Sequence, residues 1–260
     1  MMNRQPLVSI VTPSFNQSPY LEETIRSVLG QTYERIEYIL IDGGSTDGSQ
    51  EIIRQYADRL AYWVSEKDKG QTDALNKGFK VAHGDIFAWL NSDDLYYPHA
   101  VEEAVAYLMD HPQVGVVYGD LDFVDENSQV IGQFPAAQTD LKRLRRGYVH
   151  IPQPATFFRA ELWRQVAPLD DRFYFAMDYD LWVRLARLTE FKYIPSKRWA
   201  SFRLHSDAKT IRADERCWPE MLRVHYRDGG STFSPIVLKY LLRKLTAPLI
   251  RWKRRRMFKR

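Results

Sequence analysis

The residues of this chain best suited to chemistry are carboxylates that stand where buried strands run out. The apolar run Ile86–Leu90 leads straight into Asn91-Ser92-Asp93-Asp94. Two adjacent carboxylates at such a place are costly unless a cation or a hydrogen-bonding ligand compensates them. The placement recurs: Asp42 follows "IEYILI", Glu66-Lys67-Asp68 follows "AYWVS", and the first run, "LVSIV", ends in Thr12-Pro13-Ser14. In open α/β sheets, ligands sit beyond the carboxyl ends of the strands. Acidic ends converging on one crevice repel each other unless a divalent cation, or ligand hydroxyls and ring N–H groups, fill the space. Hard oxygen ligands favour Mg²⁺ or Mn²⁺ over zinc. Alone, Asp42 before Gly43-Gly44 reads equally well as a turn residue, and so does Asp93-Asp94. Together, at matching strand ends, they read as a site.

The elements that position these residues alternate through the first half. "LVSIVTPSF" reads as a strand, and "SPYLEETIRSVLGQTY" as a helix with Ser18-Pro19 as cap and first turn. "IEYILID" is a second strand, "TDGSQEIIRQYADRL" a helix and "AYWVSE" a third strand. "GQTDALNKGFKVAHG" is a helix closed by Gly84, and "DIFAWLN" a fourth strand. This rhythm predicts an α/β fold, a Rossmann-like, mostly parallel sheet flanked by helices. The second half reads as a mixed α+β continuation. It has strands at "VGVVYGDLDFVDENSQVIGQF" around a turn at Glu126-Asn127-Ser128, a strand at "QPATFFR", a helix at "YDLWVRLARL" and a strand at "WASFRLH".

The common phosphate-binding loops are missing: no G-x-G-x-x-G follows the first strand and no G-x-x-x-x-G-K-[ST] occurs. Without a glycine cradle, a bound pyrophosphate needs a metal as its main counter-charge. With that in view, "VSIVTPSFNQSPYLEETIRSVLGQTYERIEYILIDGGSTDGS", "DKGQTDALNKGF" and "GDIFAWLNSDD" in that order resemble the family 2 glycosyltransferases of GT-A fold. The resemblance spans about residues 6 to 205. It implies inverting transfer of a sugar from a nucleoside diphosphate sugar to an acceptor hydroxyl, with Mn²⁺ or Mg²⁺ as cofactor. It matches Thr12, Pro13 and Ser14 to the strand end lining the nucleotide pocket, Asp42 to the carboxylate that holds the base, and Asp68 to the next loop of that pocket. Asp93 is matched to the donor ribose or sugar and Asp94 to the metal. Asn91 stands where many relatives have Asp, which would weaken a metal site that used it.

In "FAMDYDLWVRLA" the resemblance places the general base on Asp178, with Met177 where relatives often have Glu. A carboxylate suits that role, because the acceptor hydroxyl must lose its proton as it attacks the anomeric carbon opposite the leaving diphosphate. Burial beside Phe175, Tyr179 and Trp182 would raise its pKa. A helix N-cap is the plainer reading of such an Asp; the base is preferred for Asp178, and a first-turn role for Asp180. His205 in "FRLHSDAKT" resembles a histidine completing metal or diphosphate binding, and a structural role is equally open to it. Gln153 and Thr156 in "HIPQPATFF" are candidates for the acceptor side. Trp89, Tyr96 and Tyr97 are read as core packing before sugar stacking.

Composition frames these readings. An apolar fraction of 45% and a charged fraction of 27% over 260 residues describe an ordinary globular protein. The single Cys217 excludes an internal disulfide framework and suits a reducing cytosol. No signal-peptide core follows Arg4, and no apolar run reaches the roughly 18 residues of a bilayer span. The net charge of +4 hides an asymmetry: Leu238–Arg260 carries ten basic residues and no acidic one, leaving 27 Lys+Arg against 33 Asp+Glu elsewhere. With Val237, Leu238, Leu241, Leu242, Leu245 and Leu249 near helical spacing, plus Trp252 and Phe258, the tail reads as a basic amphipathic helix for an anionic membrane surface, kinked or ended by Pro248. Docking on the body and plain solvation compete with that reading. Nucleic acid is disfavoured, since one terminal cluster lacks an aromatic-studded basic face. The expected organisation is a catalytic domain over 6–205 (a nucleotide-sugar half at 6–120 and an acceptor half at 121–205) and a helical extension at 206–260. The expected partners are a nucleoside diphosphate sugar and a glycan or lipid-linked acceptor, and the expected location is the cytoplasmic face of the cell membrane. A sugar nucleotidyltransferase and a non-catalytic sugar-nucleotide sensor are the competing functions.

Overall fold

The computed structural model describes residues 5–206, 208, 209 and 217–257, with side chains as far as residue 246. Its strands are β1 (Val8–Ser14), β2 (Ile36–Asp42), β3 (Tyr62–Ser65), β4 (Ile86–Trp89), β5 (Leu95–Tyr96), β6 (Val114–Val124), β7 (Val130–Gln133), β8 (Thr156–Arg159) and β9 (Glu190–Arg203). They form one sheet in the order β3-β2-β1-β4-β8-β6-β9-β5, with β7 folded back on β6. The four strands whose ends carry the candidate residues are mutually parallel, as the alternating rhythm predicts. Antiparallel pairing enters with β8, β5 and β7.

Period-two alternation explains why both faces of this sheet are covered. Val11, Ile39, Ile41, Phe87 and Trp89 face one apolar cluster, filled by α3 (Gln71–Val81), α6 (Ala160–Val166) and α7 (Met177–Leu185). Their neighbours Ile10, Tyr38, Leu40, Ile86 and Ala88 face the other, filled by α1 (Ser18–Leu29), α2 (Ser49–Gln55) and α4 (Ala100–Asp110). Gly78 lets α3 lie close on the sheet; a Cβ there would stand 2.4 Å from Val11. Trp89 is 1% exposed and stacks on Trp182 at 5.6 Å, which makes it core.

Several boundaries differ from expectation. The cap of α1 is Gln17, and Ser18 instead gives its N–H to Asp47. α3 ends at Val81, and Gly84 serves the entry to β4, its N–H donating to Ser9 Oγ at 2.8 Å. β6 runs through residue 120, so the expected halves share a strand and one continuous sheet. Short α5 (Leu141–Arg145) was not among the expected elements, while the later α8 (Cys217–Arg227) lies within the expected helical extension. The final helix, α9 (Pro235–Met257), continues past Pro248. A proline removes one N–H and crowds one turn, and here it does not end the helix. Side chains of Leu249, Trp252 and the cations from Arg251 onward, and Phe258 altogether, lie outside the described residues. Among the described residues, no helix is long and apolar enough to cross a membrane.

Candidate active site

The parallel register brings the expected strand ends to one level: Ser14 pairs with Asp42, and Asp42 with Ser65. Asp42 is fully buried and already well supplied with donors. Its Oδ2 accepts from the N–H groups of Gly44 (3.1 Å) and Ser45 (2.9 Å) and from Ser65 Oγ (2.6 Å), and its Oδ1 from Ser45 Oγ (2.5 Å). This carboxylate therefore folds the β2–α2 turn, and Oδ1 alone has room for a further partner. Gly44 sits at φ +81°, in the left-handed region, where its lack of a side chain makes the turn possible. Thr12 is buried and accepts from Tyr38 Oη. Ser14 Oγ is buried with no hydrogen-bond partner among the described residues, an orphan that a ligand would satisfy. Asp68 lies across Gly43, where a Cβ would meet its carboxylate at 2.8 Å, and accepts from Gly70 N–H. Thr12, Pro13, Ser14, Asp42 and Asp68 thus form one wall.

The two carboxylates at the end of β4 separate sharply. Asp94 is fully buried; Oδ1 accepts from the Arg203 N–H and Oδ2 from Asn91 Nδ2 at 3.0 Å. Burial, and then the neighbouring Asp93, push its pKa well above the ordinary carboxylate range. Asp93 is partly exposed and its Oδ2 lies 3.0 Å from His205 Nε2. The metal role expected of Asp94 thus falls on a sequestered group, while Asp93 is partly exposed and lies against the buried His205. The His205 ring also packs beside Tyr20, with centroids 4.8 Å apart.

Arg203, which the sequence reading passed over, builds this turn. It is 1% exposed, and its guanidinium donates to the Asp93 carbonyl, to Glu23, and to the carbonyls of Asp125 and Glu126 in the β6–β7 turn. Its only sequence signal is a cation closing the mostly apolar run Trp199–Phe202, two residues before His205.

Asn91 is spent on a network. Its amide oxygen accepts from Gln71 Nε2 (2.6 Å), and Gln71 Oε1 in turn accepts from Lys209 Nζ (2.8 Å). Gln153 donates to the Trp89 carbonyl (2.7 Å), fixing the end of β4. Thr156 is 1% exposed and donates to Pro152 O, so its expected place on the acceptor side is corrected to a buried hydroxyl closing the turn into β8.

Asp178 lies in the first turn of α7, partly exposed, and accepts from the Tyr179 N–H at 2.7 Å. The helix N-cap is Ala176, so Asp178 is not the cap. Desolvation raises its pKa, opposed by that hydrogen bond and by the charge of Lys209. Lys209 stands over the Tyr174 ring at 4.1 Å, and burial drags its pKa down to about 8. Glu220 of α8 does the capping, accepting from the N–H groups of Phe175 and Ala176. Met177, at the position of the expected Glu, is buried and receives the Thr72 hydroxyl on sulfur. Asp180 is fully buried between Arg184 and Arg227, which extends its expected first-turn role into an anchor for α8.

With this geometry in hand, the comparison with known proteins is decisive at the level of family. The family model for glycosyl transferase family 2 matches residues 9–181. The chain belongs to glycosyl transferase family 2. An uncharacterized glycosyltransferase of Mycobacterium tuberculosis is 34% identical over 192 residues, covering 73% of this chain and 72% of that protein. An uncharacterized glycosyltransferase of Rickettsia typhi is 31% identical over 192 residues, covering 71% of this chain; the match spans 60% of that relative's length. A match to one of Rickettsia bellii spans 34% of its length. The fold is that of GT-A enzymes. The crystal structure of residues 1–349 of S. aureus TarS with UDP-GlcNAc superposes with a TM-score of 0.68 at 18% identity, over 85% of this chain and 66% of that one. The mannosyltransferase PcManGT from Pyrobaculum calidifontis, with GDP-Man and Mn²⁺, gives 0.65 at 20% identity, over 87% and 65%.

Proposed function

We propose that this family 2 member transfers a sugar, with inversion, from a nucleoside diphosphate sugar to an acceptor hydroxyl. The observation that carries it is the continuity of the crevice. One hydrogen-bonded chain, Lys209–Gln71–Asn91–Asp94, joins the end of β4 to the lysine whose charge acts on Asp178. This continuity supports reading the donor wall and the candidate base as one site.

Asp42 and the unpartnered Ser14 hydroxyl would hold the nucleoside, and Asp68 closes that wall. A divalent cation, Mn²⁺ or Mg²⁺, fits Asp93 and His205. Among the described residues no three carboxylate, histidine or cysteine side chains form a cluster, so this site would depend on the donor's own phosphate oxygens for the rest of its ligands. When bound, such an ion neutralises charge on the leaving diphosphate. Asp178 takes the acceptor proton as the hydroxyl oxygen bonds to the anomeric carbon and the bond to the diphosphate oxygen breaks. Its raised pKa makes it a stronger base than an ordinary aspartate, and its partial exposure leaves one oxygen available to the acceptor. The acceptor is read as a glycan or lipid-linked sugar at an anionic membrane, in the synthesis of cell-surface polysaccharide or lipid-linked glycan.

The test is a panel of UDP-, GDP- and dTDP-sugars with each metal, read by thermal shift and by slow donor hydrolysis. One nucleotide is expected to stabilise the protein in a metal-dependent way that grows with the logarithm of ligand concentration, and Asp93→Ala is expected to lose that response. No stabilisation by any donor with metal present would sink the proposal. Release of pyrophosphate would move it to nucleotidyl transfer.

A further inference from the structure

α9 packs on the body along one side only. Ile236 (1% exposed) fills the space over Gly147, where a Cβ would meet it at 2.5 Å, Val237 is buried beside it, and Tyr240 rests near Trp218. On the opposite side, Leu238, Leu241, Leu242 and Leu245 follow the i, i+3, i+4, i+7 spacing of one helical stripe, and each is 50–75% exposed. Phe233, just before the helix, is 97% exposed. A contiguous apolar stripe of this kind marks an interaction surface rather than scattered exposure.

The second observation is where the charge collects. The α5 segment carries Lys142, Arg143, Arg145 and Arg146. Arg143 and Arg146 lie over the Tyr148 ring at 5.8 Å each, and Lys239 of α9 comes over the same ring at 4.8 Å. Two basic segments nearly a hundred residues apart in sequence therefore meet on one tyrosine. Arg145 is ion-paired with Asp228. No acidic residue occurs from Gly229 to the end of the chain. A recess of about 430 Å³ between α5 and the end of α8 with the loop that leads into α9 is lined by Lys142, Arg146, His225 and Ser234, among others.

We propose that α5 and α9 form a composite docking face for an anionic lipid bilayer. The leucine stripe enters the boundary between headgroups and acyl chains, and the cations gathered around Tyr148 meet lipid phosphates. Charge complementarity selects this occupant: an apolar stripe alone would suit a protein partner, but one flanked by a one-signed field suits a negatively charged apolar interface. The inference rests on the reading of the acceptor as membrane-displayed, and adds that α5 of the catalytic body shares the docking with the tail.

The test is flotation of the full chain with phosphatidylglycerol-rich vesicles and with pure phosphatidylcholine vesicles, at low and raised salt, with donor hydrolysis measured in parallel. Binding is expected only to the anionic vesicles and is expected to weaken with salt. Replacing Leu238, Leu241, Leu242 and Leu245 by Ser, all exposed and so tolerable to the fold, should abolish it. Lys142→Gln with Arg146→Gln should lower the partition coefficient roughly twenty-five-fold, at about fivefold per cation. Donor hydrolysis should survive both sets of changes. The proposal is overturned if the parent ignores anionic vesicles at low salt, or if the serine variant binds as the parent does. It is also overturned if the serine changes only convert a self-associated form to monomer, which would make the stripe an interface between copies. If the α5 pair has no effect while the serine set does, the composite face is wrong and the helix acts alone. Loss of donor turnover with vesicle binding intact would count against the catalytic reading and leave this one standing.

Discussion

Asp93-Asp94 at the end of β4 and Asp178-Tyr179-Asp180 at the start of α7 are two versions of one arrangement. Each sets a partly exposed carboxylate beside a fully buried one. They differ in how the buried member is held. Asp94 has only neutral donors, a backbone N–H and the Asn91 amide, and burial drives its pKa up. Asp180 is clamped by two guanidinium groups, from Arg184 and Arg227. The contrast has a physical sense. Full positive charges directed at the β4 carboxylates would compete with any cation drawn to Asp93. Arg203, close as it is, turns its guanidinium toward carbonyls and Glu23 instead. At α7 no cation has to be admitted, and ion pairs can tie the helix to α8.

The largest expected effect separates the members of the α7 pair. Asp178→Asn should reduce transfer by about 10²- to 10⁴-fold, the usual worth of a positioned base, while donor affinity measured by calorimetry stays near the parent's. Asp180→Asn should do the reverse. It leaves two partly exposed arginines without their shared partner, and losing charge-assisted hydrogen bonds costs about 1.5–3 kcal/mol, read as a lowered denaturation midpoint. Should Asp178→Asn destabilise and Asp180→Asn merely slow turnover, the division of labour drawn here is inverted.

The β4 pair should split along the same line with smaller consequences. Asp93→Asn should weaken the metal-dependent part of donor stabilisation by at least the roughly tenfold that loss of even a supporting group costs a metal site. Asp94→Asn replaces a carboxyl group buried among neutral donors. It should keep the metal response and change stability by no more than about 1–2 kcal/mol, on the scale of one hydrogen bond. A metal response lost in Asp94→Asn and retained in Asp93→Asn would restore the metal role to Asp94.

These pairs also show how far the sequence could be read. The strand ends were legible because β1 to β4 are apolar runs whose terminal residues announce themselves by polarity, and the parallel register then aligns Ser14, Asp42 and Ser65 without further information. Which of two adjacent aspartates faces the crevice was not legible. The decision is made by Arg203 and His205, more than a hundred residues away, whose approach depends on β9 pairing with β5 and β6. Thr156 misled for a similar reason: its type suits sugar binding, but the turn at Pro152 consumes its hydroxyl. Lys209 and Glu220 carried no periodic or motif signal, and matter only because α8 and the segment after β9 return to the start of α7. Pro248 gave a strong local signal for a helix end, and the continuing α9 overrode it.

The finest test concerns Lys209, which links the two pairs. Its ammonium lowers the pKa of Asp178 against the upward push of burial. A base works only when deprotonated, so the transfer rate should fall as pH drops through the Asp178 pKa, at a pH above that of an ordinary aspartate. Lys209→Met removes the opposing charge, so the pKa of Asp178 rises further and the acidic limb should move to higher pH. Lys209→Arg keeps a positive charge that cannot be lost near pH 8, and should leave the limb close to the parent's. Above about pH 8 the parent itself begins to lose the Lys209 charge, which acts on Asp178 in the same direction as Lys209→Met. An acidic limb that stays fixed in Lys209→Met would mean that the lysine only holds Gln71 in place. The coupling between the α7 base and the β4 carboxylates would then be one of position, carried by hydrogen bonds, and not of charge.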